Sequence, residues 1–416
     1  MKIADGVYVH FIPTQKYKTN RIVFRMTGSL NKQTIAKRAL VSQMLATANQ
    51  TYPTVQSFKE RLASLYGTQL STRVLTKGLT HSVDIELTYL KDAFIPTNNG
   101  LFWEVLGFLK ECLYKPLSRV AQYQNKVFDV EKQNLKTYLD VDTENNYYYS
   151  EVKGRELYFV NEGLKVPKYG QAELVEAETS FTAYQEFQSM LTRDRIDIFM
   201  VGEFDDYQVL QALHRFPLEG RQVDLQFSYS QPYVNVVKEK IEPRQSSQSI
   251  LQLGYQFSCQ YGDKDYFALI VFNAMFGEFA HSALFTTLRE KEGLAYSISS
   301  QFDVFTGLLE VYAGIEKSNR NQAMRGISRE LNYIKLGRFS SSLLNQTKKI
   351  IRMNALLSED HALTLVEQRF NKVIFGDKSL SLENWLDEIE KVTKKDVCRV
   401  ARQVKLQSLF FLEGVS

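Results

Sequence analysis

Two side chains in this sequence are well spaced for chemistry on a peptide: Arg289 and Tyr296, in the stretch Leu284–Ser300 (LFTTLREKEGLAYSISS). A guanidinium and a phenol can each donate a hydrogen bond to a peptide carbonyl. The plainer reading of the same pair is an exposed arginine at a helix end and a half-buried strand tyrosine. Other chemistries find less support. The histidines His10, His81, His214, His281 and His361 never fall within ten residues of one another, so no helix turn carries a pair of ligands. His81 opens a strand, His281 starts a helix, and the other three read as loop or surface residues. Glu278, His281 and Ser282 are close in sequence and read as loop residues. There is no GxSxG elbow, no P-loop and no GxGxxG. Cys112, Cys259 and Cys398 are odd in number and widely spaced, which fits a reducing interior better than a disulfide framework or a metal site.

The elements that must position Arg289 and Tyr296 are a helix and a strand. Leu284, Phe285 and Leu288 recur on one face of a helix expected over Ser282–Lys291. Gly293 follows where a left-handed residue often closes a helix. Alternation then places Tyr296, Ile298 and Ser300 on one strand face and Ala295, Ser297 and Ser299 on the other. Both functional groups would reach one end of a sheet.

Earlier in the chain, Gly6–Ile12, Arg21–Met26, His81–Leu87 and Ile196–Val201 alternate as strands. Thr34–Gln50 reads as a helix with a stripe of Leu40, Val41, Met44, Leu45 and Ala48, leaving Ala39, Ser42 and Gln43 on the opposite face. Helices are also expected over Ser57–Tyr66, Leu101–Tyr114, Val120–Leu139 and Phe181–Leu191, with a polar, aromatic region around Tyr147, Tyr148 and Tyr149. The segment 211–238 is loop-like, with Pro217, Gly220 and Pro232.

The second half repeats the first. Ser249–Phe257 is a strand and Asp265–Met275 a helix; Leu62 and Gly67 recur as Leu288 and Gly293; Phe199-Met200-Val201-Gly202 finds its counterpart in Phe410–Gly414. Thr393 with Asp396 forms a helix N-cap pair. At 416 residues the chain exceeds one ordinary core. The fold class is α+β: two homologous α/β-roll domains, each a mostly antiparallel sheet packed against helices, at 1–215 and 237–416 with a linker at 216–236. A net charge of +4 from 51 basic and 47 acidic residues is too balanced for nucleic-acid binding, and Lys348-Lys349 and Lys394-Lys395 read as solvated helix faces. No apolar run reaches membrane-spanning length and the start carries no secretory pattern, so a cytoplasmic protein is expected.

LREKEGLAYS resembles the second-domain signature of the pitrilysin–insulysin family, the inverzincin zinc peptidases that include the mitochondrial processing peptidases. Phe272–Gly277 is similar to the family's apolar helix running into a glycine-bearing loop, and Leu65-Tyr66-Gly67-Thr68 with Thr76-Lys77-Gly78 resembles a metal-less branch of it. The resemblance implies half of a clamshell, with Arg289 and Tyr296 on the substrate backbone and Gly277 and Ser282 in the substrate loop. In the family an HxxEH helix supplies two zinc ligands and the general base. Here the three positions fall on Ala39, Ser42 and Gln43, and none of these does that work. The later acidic ligand position falls on Asp129 or Glu131, which read as solvated helix surface without a histidine partner.

The resemblance therefore implies a catalytically inactive, non-zinc-binding subunit of a heterodimeric peptidase. Zinc would sit in a homologous HxxEH-bearing partner, and Arg289 and Tyr296 would act in trans on a peptide substrate. The alternatives are a purely structural subunit and an independent peptide-binding clamp.

Overall fold

The computed structural model describes residues 1–95 and 100–415. The chain forms two compact units. Unit 1 comprises Met1–Val141, Val166–Phe227 and Ala362–Arg369; unit 2 comprises Asp142–Lys165, Ser228–His361 and Phe370–Ser416. The linear division expected from the sequence differs in two segments: residues 142–165 group with the second half and 362–369 with the first.

In unit 1 the strands β1 (Lys2–Ala4), β2 (Val7–Pro13), β3 (Thr19–Ser29), β4 (Gln69–Lys77) and β5 (Thr80–Leu90) join a later strand, Arg195–Gly202, which is β8 after a two-residue hairpin of β6 (Ser118–Arg119) and β7 (Gln122–Tyr123). The sheet order is β1-β2-β8-β3-β5-β4. Only β2 and β8 run parallel. Period-two alternation turns Ile22, Phe24 and Met26, Val83, Ile85 and Leu87, and Ile196, Ile198 and Met200 into one core, all fully buried. Helices α1 (Lys32–Leu45), α2 (Val55–Ser64), α3 (Leu101–Tyr114), α4 (Asn125–Glu144) and, beyond α5 (Asn146–Tyr158), α6 (Ala172–Glu176), α7 (Ser180–Arg193) and α8 (Asp206–Leu213) complete the first half.

Unit 2 repeats this plan. Its strands β9 (Lys238–Gln245), β10 (Ser249–Gln256), β11 (Ala295–Asp303), β12 (Leu308–Ile315) and β13 (Lys405–Val415) order as β11-β12-β10-β13-β9, with β13 and β9 parallel and the rest antiparallel. Reversed, that is β9-β13-β10-β12-β11, which matches β2-β8-β3-β5-β4 strand for strand. The duplication is thus present in topology and in pairing sense. Helices α9 (Tyr266–Asn273), α10 (Arg320–Lys335), α11 (Ser341–Ser358), α12 (Ala362–Phe375), α13 (Leu382–Lys391) and α14 (Lys394–Gln403) fill the second half, α14 opening on the expected Thr393–Asp396 capping box.

The central strands of each sheet bury their second face as well, and a helix from the other half of the sequence reaches that face. In unit 2, α5 packs across β10, β13, β9 and β12, and Arg155 donates from Nε and Nη2 to the two oxygens of Glu310 at 3.0 and 2.7 Å. In unit 1, Arg25 of β3 donates from Nε and Nη2 to Asp84 of β5 at 2.7 and 2.8 Å, both side chains closed to solvent. Arg73 lies 2.9 Å from Asp84 and 2.6 Å from Glu86. Glu367 of α12 accepts from Arg25 and from Lys77.

Several local expectations change. The helix placed at Val120 starts instead at Asn125, because Val120 and Ala121, with φ of 53° and 55°, make the turn of the β6–β7 hairpin. The aromatic region at Tyr147–Tyr149 is the first turn of α5, capped by the Asn145 side chain. His10 is not a loop residue: it is buried in β2, with Nε2 2.7 Å from Asp197 Oδ1. Lys348 is not on a solvated face either, since it is buried and its ammonium donates to the Glu390 carbonyl at 2.6 Å.

Removing Asp84 would leave the Arg25 guanidinium buried without its main counter-charge. Asp84→Ala is expected to cost about 3–5 kcal/mol in denaturant unfolding. Burial opposes ionisation of Glu367, yet Arg25, Lys77 and Arg73 hold its pKa down to about 2, from 4.5 when unperturbed. A depressed folded-state pKa adds stability above pH 4.5 that is lost as pH falls toward 2. Thermal melts of Glu367→Gln should show a shallower acid decline across that window than the parent chain.

Candidate peptide-binding segment and degenerate metal helix

The stretch carrying Arg289 and Tyr296 is helical but wider than an α-helix. After α9, residues Ala274–Glu278 and then Phe285–Lys291 wind as π-helix. The amide of Glu292 donates to the Thr287 carbonyl five residues back, and that of Leu294 to Leu288 six back. Gly293, at φ 60°, makes the turn out of this helix. Leu284 and Leu288 are fully buried, as their spacing predicts. On the outer side the Arg289 guanidinium lies over the Phe285 ring at 4.6 Å and 3.8 Å from Glu290. With 44% of its side chain exposed, it is held loosely and open to a ligand.

Tyr296 does not share a face with Ile298 and Ser300. Ala295 pairs with Ile315 and Ser297 with Gly314, so two steps on β11 meet one on β12 and Tyr296 is the extra residue of a β-bulge. The bulge reverses the alternation at this point: Ala295, Ile298 and Ser300 are buried, whereas Tyr296 is 59% exposed. Its phenol donates to Glu316 Oε1 at 2.9 Å, and that hydrogen bond with the neighbouring negative charge raises the phenol's pKa. Glu316 was not singled out by the sequence. The signal lies in the strand pairing, because Glu316 follows the residue that pairs with Ala295.

Gly277 and Ser282 are withdrawn from the surface. Gly277 sits inside the first π-turn, where a Cβ would come within 2.6 Å of Ser300 Oγ and 2.9 Å of the Ser300 amide nitrogen. It is glycine because β11 passes too close for anything larger. Ser282 is fully buried, and its hydroxyl accepts from the Phe285 amide. Around them, Asn273 donates to Glu278 at 2.8 Å and accepts from the Ser300 hydroxyl at 2.8 Å. Burial raises the Glu278 carboxyl pKa, with the Asn273 bond opposing it. His281 Nε2 lies 2.8 Å from Thr347 Oγ1. These residues form the floor beneath β11.

Helix α1 differs more sharply from its expected amphipathic form. Ala39, Ser42 and the intended stripe are all buried, and Gln43 is half-buried. The helix lies against β4 and β5 on one side and α6 and α7 on the other, so that beyond its exposed first residues, Lys32 and Gln33, only Thr34, Lys37 and Gln43 are partly open to solvent. The Ser42 carbonyl accepts from the Thr72 hydroxyl at 2.9 Å. Arg38, one turn earlier, pairs through both Nη atoms with Asp194 at 2.8 Å. Asp129 is exposed on α4, and Glu131 accepts from Asn134 at 3.4 Å. His81 is buried beside the Lys168 carbonyl, and desolvation drives its pKa down to about 3. Among the described residues, no three His, Cys, Asp or Glu side chains converge in a way that could hold a metal ion. The methyl and hydroxyl at positions 39 and 42 do not fit zinc. Among those residues, too, no helix is long and apolar enough to cross a membrane.

A duplicated α+β roll, with an exposed Arg/Tyr segment in one copy and a ligand-free helix in the other, defines a pitrilysin-type fold without its metal motif. A family profile described as Peptidase M16 inactive domain matches residues 184–351. The chain is 30% identical over 410 residues to the probable inactive metalloprotease YmfF of Bacillus subtilis, covering 98% of this chain and 96% of that protein. It is 24% identical over 249 residues to the uncharacterized zinc protease YmxG of the same organism, covering 59% of each. Its fold superposes on a conserved protein from Enterococcus faecalis V583 with a TM-score of 0.97 at 35% identity, over 100% of this chain and 98% of the other. The chain belongs to the M16 peptidase family.

Ala39 is fully buried, which leaves no room for an imidazole. Ala39→His should destabilise the fold by about 1–3 kcal/mol through overpacking. Equilibrium dialysis of that variant should show no gain in bound zinc over the parent chain.

Proposed function

We propose that this chain is the non-catalytic subunit of a two-chain zinc endopeptidase acting on peptides or small unfolded proteins. A homologous chain bearing HxxEH would hold the metal and the base, and this chain would present Arg289 and Tyr296 to the substrate. The supporting observation is an asymmetry between the two copies of the fold. In unit 1 Ala39 and Ser42 are closed into the core and Gln43 is half-buried, whereas in unit 2 Arg289 and Tyr296 stay exposed on either side of the turn into an edge strand. Both side chains, the Arg289 guanidinium on the π-helix and the Tyr296 phenol on the bulge that follows it, are left open to solvent. Relatives named as an inactive metalloprotease and as a zinc protease supply the two kinds of chain that such a pair requires. An edge strand also offers unpaired backbone groups to an extended peptide.

Donors preorganised toward a developing oxyanion are worth on the order of 10²–10³ in kcat. The purified chain alone should show no zinc-dependent cleavage of an unstructured peptide, and addition of an HxxEH-bearing homologue should restore it. In that complex Arg289→Ala should lower kcat about 100-fold. Cleavage by the lone chain would refute the reading. A complex indifferent to loss of both Arg289 and Tyr296 would instead mark a purely structural subunit, and peptide affinity without any second chain an independent clamp.

A further inference from the structure

Tyr296 has one phenolic proton, and the structure shows where it goes. The bulge in β11 turns the ring out of the sheet, and Glu316, just beyond the end of β12, receives the hydroxyl hydrogen at 2.9 Å. Among the described residues no lysine, arginine or histidine forms an ion pair with Glu316, and the adjacent Lys317 is engaged by Glu413 at 3.1 Å. An unneutralised carboxylate therefore stands beside the phenol oxygen. Two consequences follow from the donor inventory of a phenol. With its hydrogen committed, Tyr296 Oη offers lone pairs only. A developing oxyanion placed against it would meet an acceptor and a like charge together. The guanidinium of Arg289 has no such conflict, since its charge is permanent and its donors are several.

We infer that Glu316 is a positioning residue that fixes Tyr296 as a hydrogen-bond acceptor for an N–H group of the bound peptide, leaving Arg289 as the group that faces developing negative charge. This rests on the subunit reading above, and it divides between two residues the role that resemblance assigns to both. The raised pKa of the phenol is consistent with it. The donor could be a backbone N–H or the cation of a lysine or arginine side chain, and both would be drawn to the same pair of oxygens.

The two-chain complex separates the possibilities with a fluorogenic peptide in neutral, lysine-containing and backbone N-methylated forms. Tyr296→Phe should raise KM about 2- to 10-fold, the worth of one net hydrogen bond, whereas Arg289→Ala lowers kcat. Glu316→Ala should reproduce the KM rise, the double variant should add nothing to it, and Glu316→Gln, which still offers an oxygen to the phenol, should largely restore the parent value. An effect confined to the lysine peptide assigns the donor to a side chain; one abolished by N-methylation assigns it to the backbone. A fall in kcat for Tyr296→Phe as large as that for Arg289→Ala would overturn the inference, as would a KM unchanged in Glu316→Ala. The pairing is tested apart from any partner by 13C-tyrosine NMR of the full chain. The Tyr296 signal should titrate above an unperturbed tyrosine and move down in Glu316→Gln; no response there overturns the inference even if the complex is active. A complex that cleaves nothing while the titration responds refutes the subunit reading and leaves the pairing standing.

Discussion

The central strands of both sheets, β3, β5 and β8 in unit 1 and β10, β12 and β13 in unit 2, are largely buried on both faces, and most of the structure follows from that constraint. A sheet with one wet face can leave its polar residues to water. Over these strands the second face is closed as well, so a charge on it must find a partner within the protein. In unit 1 that need is met by Arg25 with Asp84, Arg73 with Asp84 and Glu86, and His10 and Arg195 with Asp197. Burial alone would raise the Asp197 carboxyl pKa, but the hydrogen bonds from His10 and Arg195 outweigh it and hold it low. In unit 2 Arg155 and Glu310 do the same under α5. The exchanged segments 142–165 and 362–369 are bound by these charges to the sheets they cover, which specifies where each must dock.

The character of α1 is a packing outcome. In a helix with one open face, loss of a ligand leaves a polar gap that water can fill. Helix α1 is enclosed on both sides, so alanine at position 39 completes a core instead of vacating a site. Nearby charge is already spoken for, because Arg38 and Asp194 neutralise each other and His81 is held neutral by burial. Two imidazoles introduced at these positions would have to displace well-packed side chains.

Unit 2 keeps irregular backbone where unit 1 has regular helix. Two π-turns and a β-bulge flank the start of β11, and these are the devices that re-aim a side chain without changing the fold. The π-winding carries Arg289 onto Phe285 on the outer side of the helix. The bulge carries Tyr296 out of the sheet and onto Glu316. Gly277, packed against Ser300, lets the floor beneath them come close enough to support the edge strand.

Local sequence patterns were enough to reveal the duplication, the α+β class, most strands and the capping at Thr393, because alternation, glycine placement and side-chain capping act within a few residues. Arg289 and Tyr296, and the trio of Ala39, Ser42 and Gln43, were singled out by the resemblance of the surrounding stretches to the pitrilysin–insulysin family and not by pattern alone. Patterns of that range could not show that Ala39 and Ser42 of α1 are buried together with its apolar stripe, that Gly277 and Ser282 lie under β11, or that the tyrosine triplet opens a helix. Nor could they place Glu316 beside Tyr296, twenty residues away. Those outcomes depend on which strand pairs with which, and on a single extra residue in that pairing. Register is a property of two segments at once, so only the folded chain decides it.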